Sequence, residues 1–456
     1  MIEPDNPFHV LTEIRDRDMR HSARFPTLCT RFRSLAWLPT VWVVALLGAP
    51  GCSSDAAVPD TAGADTGTVA AAAFTESGLE RIGEEIRADI EGERIAGAVA
   101  LLASAGEIQF FESFGSLDRE AGHAMTNDAI FAMASMTKPI TSFAVMMLHE
   151  AGHFDLDDPV STFLPELGGL DVGVEDGTEG GESALHTVPA EHDMTIRDLL
   201  RHTSGLTYGL FGNSRVDRMY LEAQMLGGSG NTLAGLVTSL AELPLKHHPG
   251  ARFEYSVSTD VLGRLVEVVS GMRFDEFLQQ RIFDPLGMVD TRFLVPMEQR
   301  GRLALTYARG DDGLVPQPVG SVSETPSFLS GGGGLYSTAA DYVRFCQMVL
   351  NGGELDGVRL ASTQTVALMT SDHLGDRPGG IQGLVEGFGL GFAVRRDLGE
   401  PPHGSVGELS WAGIRSTTFW IDPEKQIIGI YLTQLSPFDT GHGDRFRVLA
   451  YEALAE

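Results

Sequence analysis

Apolar residues recur at helical spacing between residues 75 and 90, where Leu79, Ile82, Ile86 and Ile90 form one stripe, so this stretch is predicted as an amphipathic helix. Two apolar runs follow at residues 96–103 and 107–112, with Ala105 and Gly106 between them, and read as paired strands. Residues 135–151 return to the helical period through Ile140, Phe143, Ala144, Met147 and Leu148. Residues 166–193 are acidic and glycine-rich with little to bury, which marks a surface insertion. A helix is predicted over 194–206, with Thr195 as its N-cap and Gly205 as its stop. Two more are predicted at 260–270 and 274–282, divided by Gly271, and another at 338–350, closed by Asn351, Gly352 and Gly353. Strand-like runs then reappear at 390–395, 416–421 and 426–432, before a last helix at 445–453.

This order predicts an α/β (α+β) fold: an antiparallel sheet flanked by helices and built from both ends of the chain, about 73–140 and 335–456. A mostly helical region, about 141–334, is inserted between them. Together they form a predicted single domain over residues 73–456, and 456 residues with 43% hydrophobic content suffice for a large core.

The segment before residue 73 has a different character. Residues 19–33 hold four arginines and no acid, and an apolar run from Val41 to Ala49 leads into Pro50, Gly51, Cys52 and Ser53. That order is expected of an export signal, too short for a membrane span. Cys52 after small residues resembles a bacterial lipoprotein site, so residues 1–52 read as an N-terminal extension and signal. Translation is expected to start at Met19 rather than Met1, and residues 53–72 read as a flexible linker. The expected location is exported, periplasmic and anchored through Cys52.

A formal net charge of −29 speaks against nucleic acid as a partner, because phosphate binding needs a basic surface. With Cys29 and Cys52 in the signal, Cys346 stands alone in the folded part, and no internal disulfide is expected.

The chemistry centres on Ser135 and Lys138. Three positions apart at a helix start, they leave one face about a turn apart and set an amine beside a hydroxyl. Serine is a weak nucleophile near neutral pH without a base in reach, and a desolvated lysine can be that base. Because the chain contains only three lysines, a chance match of this spacing is uncommon. Tyr255 offers a phenol whose proton a nearby cation would loosen, as base or relay. Trp411, Ala412, Gly413 and Ile414 stand just before a predicted strand, where a glycine lets a substrate carbonyl approach backbone N–H groups. The glycines after Ser330 are not followed by Gly-Lys-Ser/Thr, so they read as close backbone packing rather than a phosphate cradle.

Taken together, Ser135-x-x-Lys138, the run from Leu199 to Leu206, the run from Phe283 to Met288 and Ser330 to Gly334 resemble the serine hydrolases of the class C β-lactamase, penicillin-binding protein and family VIII carboxylesterase type. The resemblance spans about residue 74 to the C-terminus. It implies Ser135 as the acylated nucleophile, Lys138 and Tyr255 as its base pair, Trp411 to Gly413 as the strand edge, and the N–H groups of Ser135 and Ile414 as the oxyanion hole. Two departures matter: Val257 stands where the β-lactamase motif has Asn, and Trp411 where it has Lys. Losing an amide partner and a cation disfavours anionic lactams and favours neutral acyl groups, as in the esterase branch. The expected substrate is a small ester of short acyl chain, with no cofactor and no metal. Residual β-lactamase or D-alanyl peptidase action, and a non-catalytic cell-wall-binding protein on the same scaffold, are the alternatives.

His149-Glu150-x-x-His153 matches the zinc-protease pattern, which needs both histidines on one helical face. Gly152 is predicted to stop the helix before His153. No Gly-x-Ser-x-Gly occurs, which removes the common lipase arrangement. His202 and Tyr208 read as structural residues near the site.

Overall fold

The computed structural model describes residues 73–176, 184–224, 232–311, 313–317, 326–380, 387–399 and 403–455. The export signal, Cys52 and the linker lie outside them.

The main sheet has eight antiparallel strands, numbered here in chain order: β1 (Gly97–Ser104), β2 (Glu107–Asp118), β3 (His123–Ala124), β4 (Gly387–Phe388), β5 (Ala393–Val394), β6 (Leu409–Gly413), β7 (Thr417–Asp422) and β8 (Ile427–Leu432). Their spatial order is β4-β5-β6-β7-β8-β1-β2-β3. Val99 pairs with Leu432 and Ser104 with Ile427, so the first and last long segments of the fold meet at the sheet centre. Every residue of β1 is buried. Val99, Leu101 and Ala103 enter one core, and Ala98, Ala100 and Leu102 enter the other. A strand buried on both faces needs such a continuous apolar run.

Helices cover both faces. Glu76–Glu91 and Gly441–Glu452 pack Ile82, Ile86, Phe446 and Leu449 against Trp420 and Tyr431. The Thr75 N–H donates to the Ala453 carbonyl at 2.8 Å, joining the two ends of the layer. On the opposite face Thr137–Glu150 and Ala339–Leu350 bring Phe143, Tyr342 and Phe345 against Phe419. Each fully buried side chain of this size contributes about 1.5–3 kcal/mol. The helical region packs Ser258–Ser270 onto Thr137–Glu150, with Ile196–Leu200 and Leu233–Leu240 behind it. The antiparallel sheet flanked by helices is the α/β architecture predicted from the sequence.

Several boundaries differ. The helix predicted over 194–206 ends at Leu200. Thr195 and Asp198 form a reciprocal capping box, but Asp198 also accepts from the Thr203 hydroxyl at 2.6 Å, and His202 turns out with φ of +56°. The insertion at 166–193 carries a hairpin, Asp171–Glu175 with Leu185–Pro189, anchored by buried Val172 beside Leu245. The strand predicted at 390–395 is two short strands joined through Gly391, whose φ is +112° and where a side chain would meet the Ser142 Cβ at 2.5 Å. Residues 409–413 do precede a strand, β7, as expected, and are in addition a strand themselves, β6. The second helix of the middle pair ends at Leu278 and continues as a π turn, and the last helix starts at Gly441, four residues earlier than predicted.

Candidate active site

Ser135 sits in a 3₁₀ turn, Ala134–Met136, that feeds directly into Thr137–Glu150. Ala134 takes φ of +46°, a conformation that costs a non-glycine residue on the order of 1–3 kcal/mol. Neighbouring chains hold the turn. The Met133 N–H donates to the Leu335 carbonyl at 2.9 Å, and the Leu335 N–H donates to the Thr137 hydroxyl at 3.1 Å. Any Cβ at residue 413 would lie 2.3 Å from the Met133 carbonyl oxygen, so Gly413 lets the β6 edge close on the serine turn.

Lys138 leaves the first turn of the helix and is buried. Its Nζ donates to the Gly332 carbonyl at 2.7 Å and lies 3.2 Å from the Ser135 Oγ. Burial pushes its pKa down to about 7, against the opposing pull of the Asp260 carboxylate. Near neutral pH much of this lysine is therefore an uncharged amine.

Tyr255 precedes the helix Ser258–Ser270, and its hydroxyl donates to the Ser135 Oγ at 2.7 Å across 120 residues of sequence. Its ring stands 4.7 Å from Lys138 Nζ and is enclosed by His202, Tyr208, Phe211 and Trp411, with ring centres 5.0–5.6 Å away. The expectation of an easily lost phenol proton is corrected here. Burial raises the Tyr255 pKa well above the usual range, and the bond to Ser135 only partly offsets it. The Trp411 indole N–H works in the same downward direction but lies outside hydrogen-bond geometry. The arrangement therefore pairs a neutral phenol that donates with a neutral amine that accepts. With that polarity the serine hydroxyl can pass its proton to Lys138 while its oxygen accepts from Tyr255.

His202 is buried and held well below its usual pKa by desolvation and by Lys138. It packs edge-on against Phe253 and Phe388 as well as Tyr255, which makes it a support for the phenol. Tyr208 lines the cavity itself.

Trp411 and Ala412 lie on β6 and Ile414 begins the turn after it. β5 reaches only Leu409 and Ser410, so residues 411–413 pair on one side alone, with Thr417 to Phe419. The edge that this leaves faces the serine. Ser135, Tyr255, Trp411, Ala412 and Ile414 line one cavity of about 570 Å³, with Leu210, Phe211, Phe293 and Phe328 as apolar wall. Gly413 stands behind them, against Met133.

Sequence reasoning missed Asp260. It is buried in the first turn of its helix and accepts from the Ser330 hydroxyl at 2.6 Å and the Gly332 N–H at 3.1 Å, which aims the Gly332 carbonyl at Lys138. A carboxylate followed by Val261, Leu262 and Leu265 was the available signal. The glycine run does serve close packing: a Cβ at Gly331 would lie 2.5 Å from the Thr259 carbonyl.

The zinc-protease match is divided among other tasks. The helix stops at Glu150, His149 contacts the Phe154 carbonyl at 2.9 Å, and Glu150 accepts from the Ser362 N–H. Among the described residues no three His, Cys, Asp or Glu side chains are grouped as a metal site requires.

An activated serine at the edge of an antiparallel sheet between two helical layers defines a serine hydrolase on the β-lactamase and transpeptidase scaffold. The family profile described as Beta-lactamase matches residues 82–453, and the chain belongs to that family. It is 36% identical over 364 residues to protein Rv1367c of Mycobacterium tuberculosis, covering 77% of this chain and 89% of that one. It is 32% identical over 355 residues to esterase EstB of Burkholderia gladioli, covering 72% and 83%. Among solved structures it resembles EstCE1, a hydrolase with promiscuous acyltransferase activity, with a TM-score of 0.66 at 26% identity, covering 83% and 98%.

Proposed function

We propose that this serine hydrolase is a carboxylesterase acting on small esters of short acyl chains. The observation that carries the proposal is the convergence of the Lys138 amine and the Tyr255 phenol on the Ser135 hydroxyl, in a largely apolar cavity where Trp411 stands in place of the cation of lactam-binding relatives. The likeness to an esterase named EstB supports it.

In this mechanism the Ser135 Oγ attacks the ester carbonyl and its proton passes to neutral Lys138. The carbonyl oxygen gains the negative charge and is held by the N–H groups of Ser135 and Ile414. As the tetrahedral centre collapses, Tyr255 gives its proton to the departing alkoxide and is reprotonated from Lys138, so an alcohol leaves and the acyl group stays on Ser135. Water then attacks the acyl-enzyme, its proton follows the reverse route, and the carboxylic acid leaves with the serine restored. Export and anchoring through Cys52 belong to the same proposal and are supported by the basic, apolar and small-residue order of residues 19–54.

The test is a parallel assay of a short-chain nitrophenyl ester, a chromogenic cephalosporin and a D-alanyl-D-alanine peptide. The ester is expected to be turned over at a kcat/KM well above the other two. Comparable cephalosporin or peptide turnover would replace the esterase reading by a lactamase or peptidase one.

A further inference from the structure

Three arginines line the cavity that holds Ser135, and two of them have acidic partners. Arg395 and Arg447 both pair with the buried Glu408, at 3.4 Å and 2.8 Å. The third, Arg415, follows Ile414 in the turn after β6 and is half-buried. Among the described residues no carboxylate lies within ion-pair distance of it. The Tyr336 phenol lines the same cavity, and its hydroxyl makes no hydrogen bond among the described residues. In a chain of net charge −29, acid groups are abundant, yet none of the described ones is placed against this cation. A partly desolvated guanidinium without a counterion is costly, and in a binding cavity the missing counterion is the role of a ligand.

We propose that Arg415 receives a carboxylate on the substrate, so that the natural ester is a half-ester or another ester bearing a free acid group. This deepens the esterase reading and rests on it. The planar fork of arginine suits a carboxylate. The carboxylates of Glu408 and Asp444 line the same cavity beside Arg447, which disfavours an acid group there and leaves Arg415 as its place. The acyl carbon reaching Ser135 stays neutral, and the charge sits at the far end of the substrate.

The test compares kcat/KM for matched esters: 4-nitrophenyl hexanoate with 4-nitrophenyl hydrogen adipate, and with 3-carboxy-4-nitrophenyl hexanoate, so that the acid is placed on the acyl or on the leaving side. On one of the two acid esters, the acid-to-neutral ratio is expected to fall about tenfold or more in Arg415→Gln, mainly through KM, and to recover in part in Arg415→Lys. Added salt is expected to raise the wild-type KM for that acid ester alone. A ratio that is the same in wild type and Arg415→Gln for both acid esters overturns the proposal. Should Arg415→Gln fail to fold, adipate is expected to inhibit wild-type turnover of the neutral ester far better than adipamide, and equal inhibition overturns it. Failure of the wild type to cleave any ester would strike at the esterase reading itself; turnover with an unshifted ratio strikes at Arg415 alone.

Discussion

The Asp260 carboxylate lies buried under the site and is the charge that offsets the desolvation of Lys138. Burial alone drives the lysine towards neutrality, and Asp260 draws it back towards the cation. A base acts only when deprotonated, so activity is expected above the Lys138 pKa and lost below it. The acidic limb of a kcat/KM profile should therefore fall at about pH 7.

In Asp260→Asn the offsetting charge is gone, so the lysine pKa drops further and the acidic limb moves to lower pH. The amide oxygen of asparagine can still accept from Ser330 and Gly332, which preserves the loop. The readout is the pH profile, not the absolute rate. A limb that stays in place or moves upward would mean that Lys138 is not the group titrating.

Removing the converging groups themselves gives the largest losses. Ser135→Ala should abolish ester turnover while circular dichroism stays as in the wild type, because the lost hydroxyl only faces its two partners. Lys138→Ala and Tyr255→Phe should each lower kcat by about 10²- to 10⁴-fold, the usual worth of a positioned proton-transfer group. Lys138→Ala also leaves the buried Gly332 carbonyl without its donor, so a drop in thermal stability is expected with it. Tyr255→Phe removes one oxygen and keeps the ring packing, so its loss should be in rate with little change in melting temperature.

How far this site was legible follows from the kinds of signal involved. Ser135 and Lys138 are neighbours along a helix, and a periodic stripe shows that directly. Tyr255 and Trp411 reach the same cavity from distant segments, so spacing alone could not bring them together with Ser135. The raised phenol pKa depends on the burial of Tyr255 among four rings from two distant stretches of chain, 202–211 and Trp411, and no local pattern reports it. The short helix Ile196–Leu200 was overrun because Leu199, Leu200 and Leu206 kept an apolar rhythm, whereas the side-chain bonds of Asp198 decided where the helix stopped. The strand nature of residues 409–413 was hidden because Ala412 and Gly413 break the apolar–polar alternation that Leu409, Ser410 and Trp411 begin.

Trp411 forms one wall of the cavity and touches both Tyr255 and Phe388, with ring centres 5.4 Å away in each case. Truncation to alanine opens space beside the serine and removes a support of the phenol. Trp411→Ala is therefore expected to shift the preferred acyl chain to longer nitrophenyl esters and to lower kcat on the shortest. Unchanged chain-length preference and rate across the ester series would remove it from the pocket.

The final prediction concerns the opposite face of the sheet, where the first and last helices are clasped by charge. Asp89 is buried and bonded to Arg94 at 2.7 Å, to Arg445 at 3.2 Å and to His442. Burial alone would raise its pKa, but the bonds from Arg94 and His442 outweigh that and hold the carboxyl below its usual value of 3.8. A carboxylate whose folded pKa is depressed adds stability above its unfolded pKa and loses it as pH falls through the folded one. Asp89→Asn should thus destabilise the fold at neutral pH, since it leaves Arg94 and Arg445 without their anion. The deficit against the wild type should shrink as the pH is lowered below about 4. Urea denaturation of both proteins at neutral and acid pH checks the sign, and a deficit that does not narrow in acid would show that Asp89 acts through packing rather than charge. The esterase rate at neutral pH should be little affected, because this clasp lies across the sheet from Ser135.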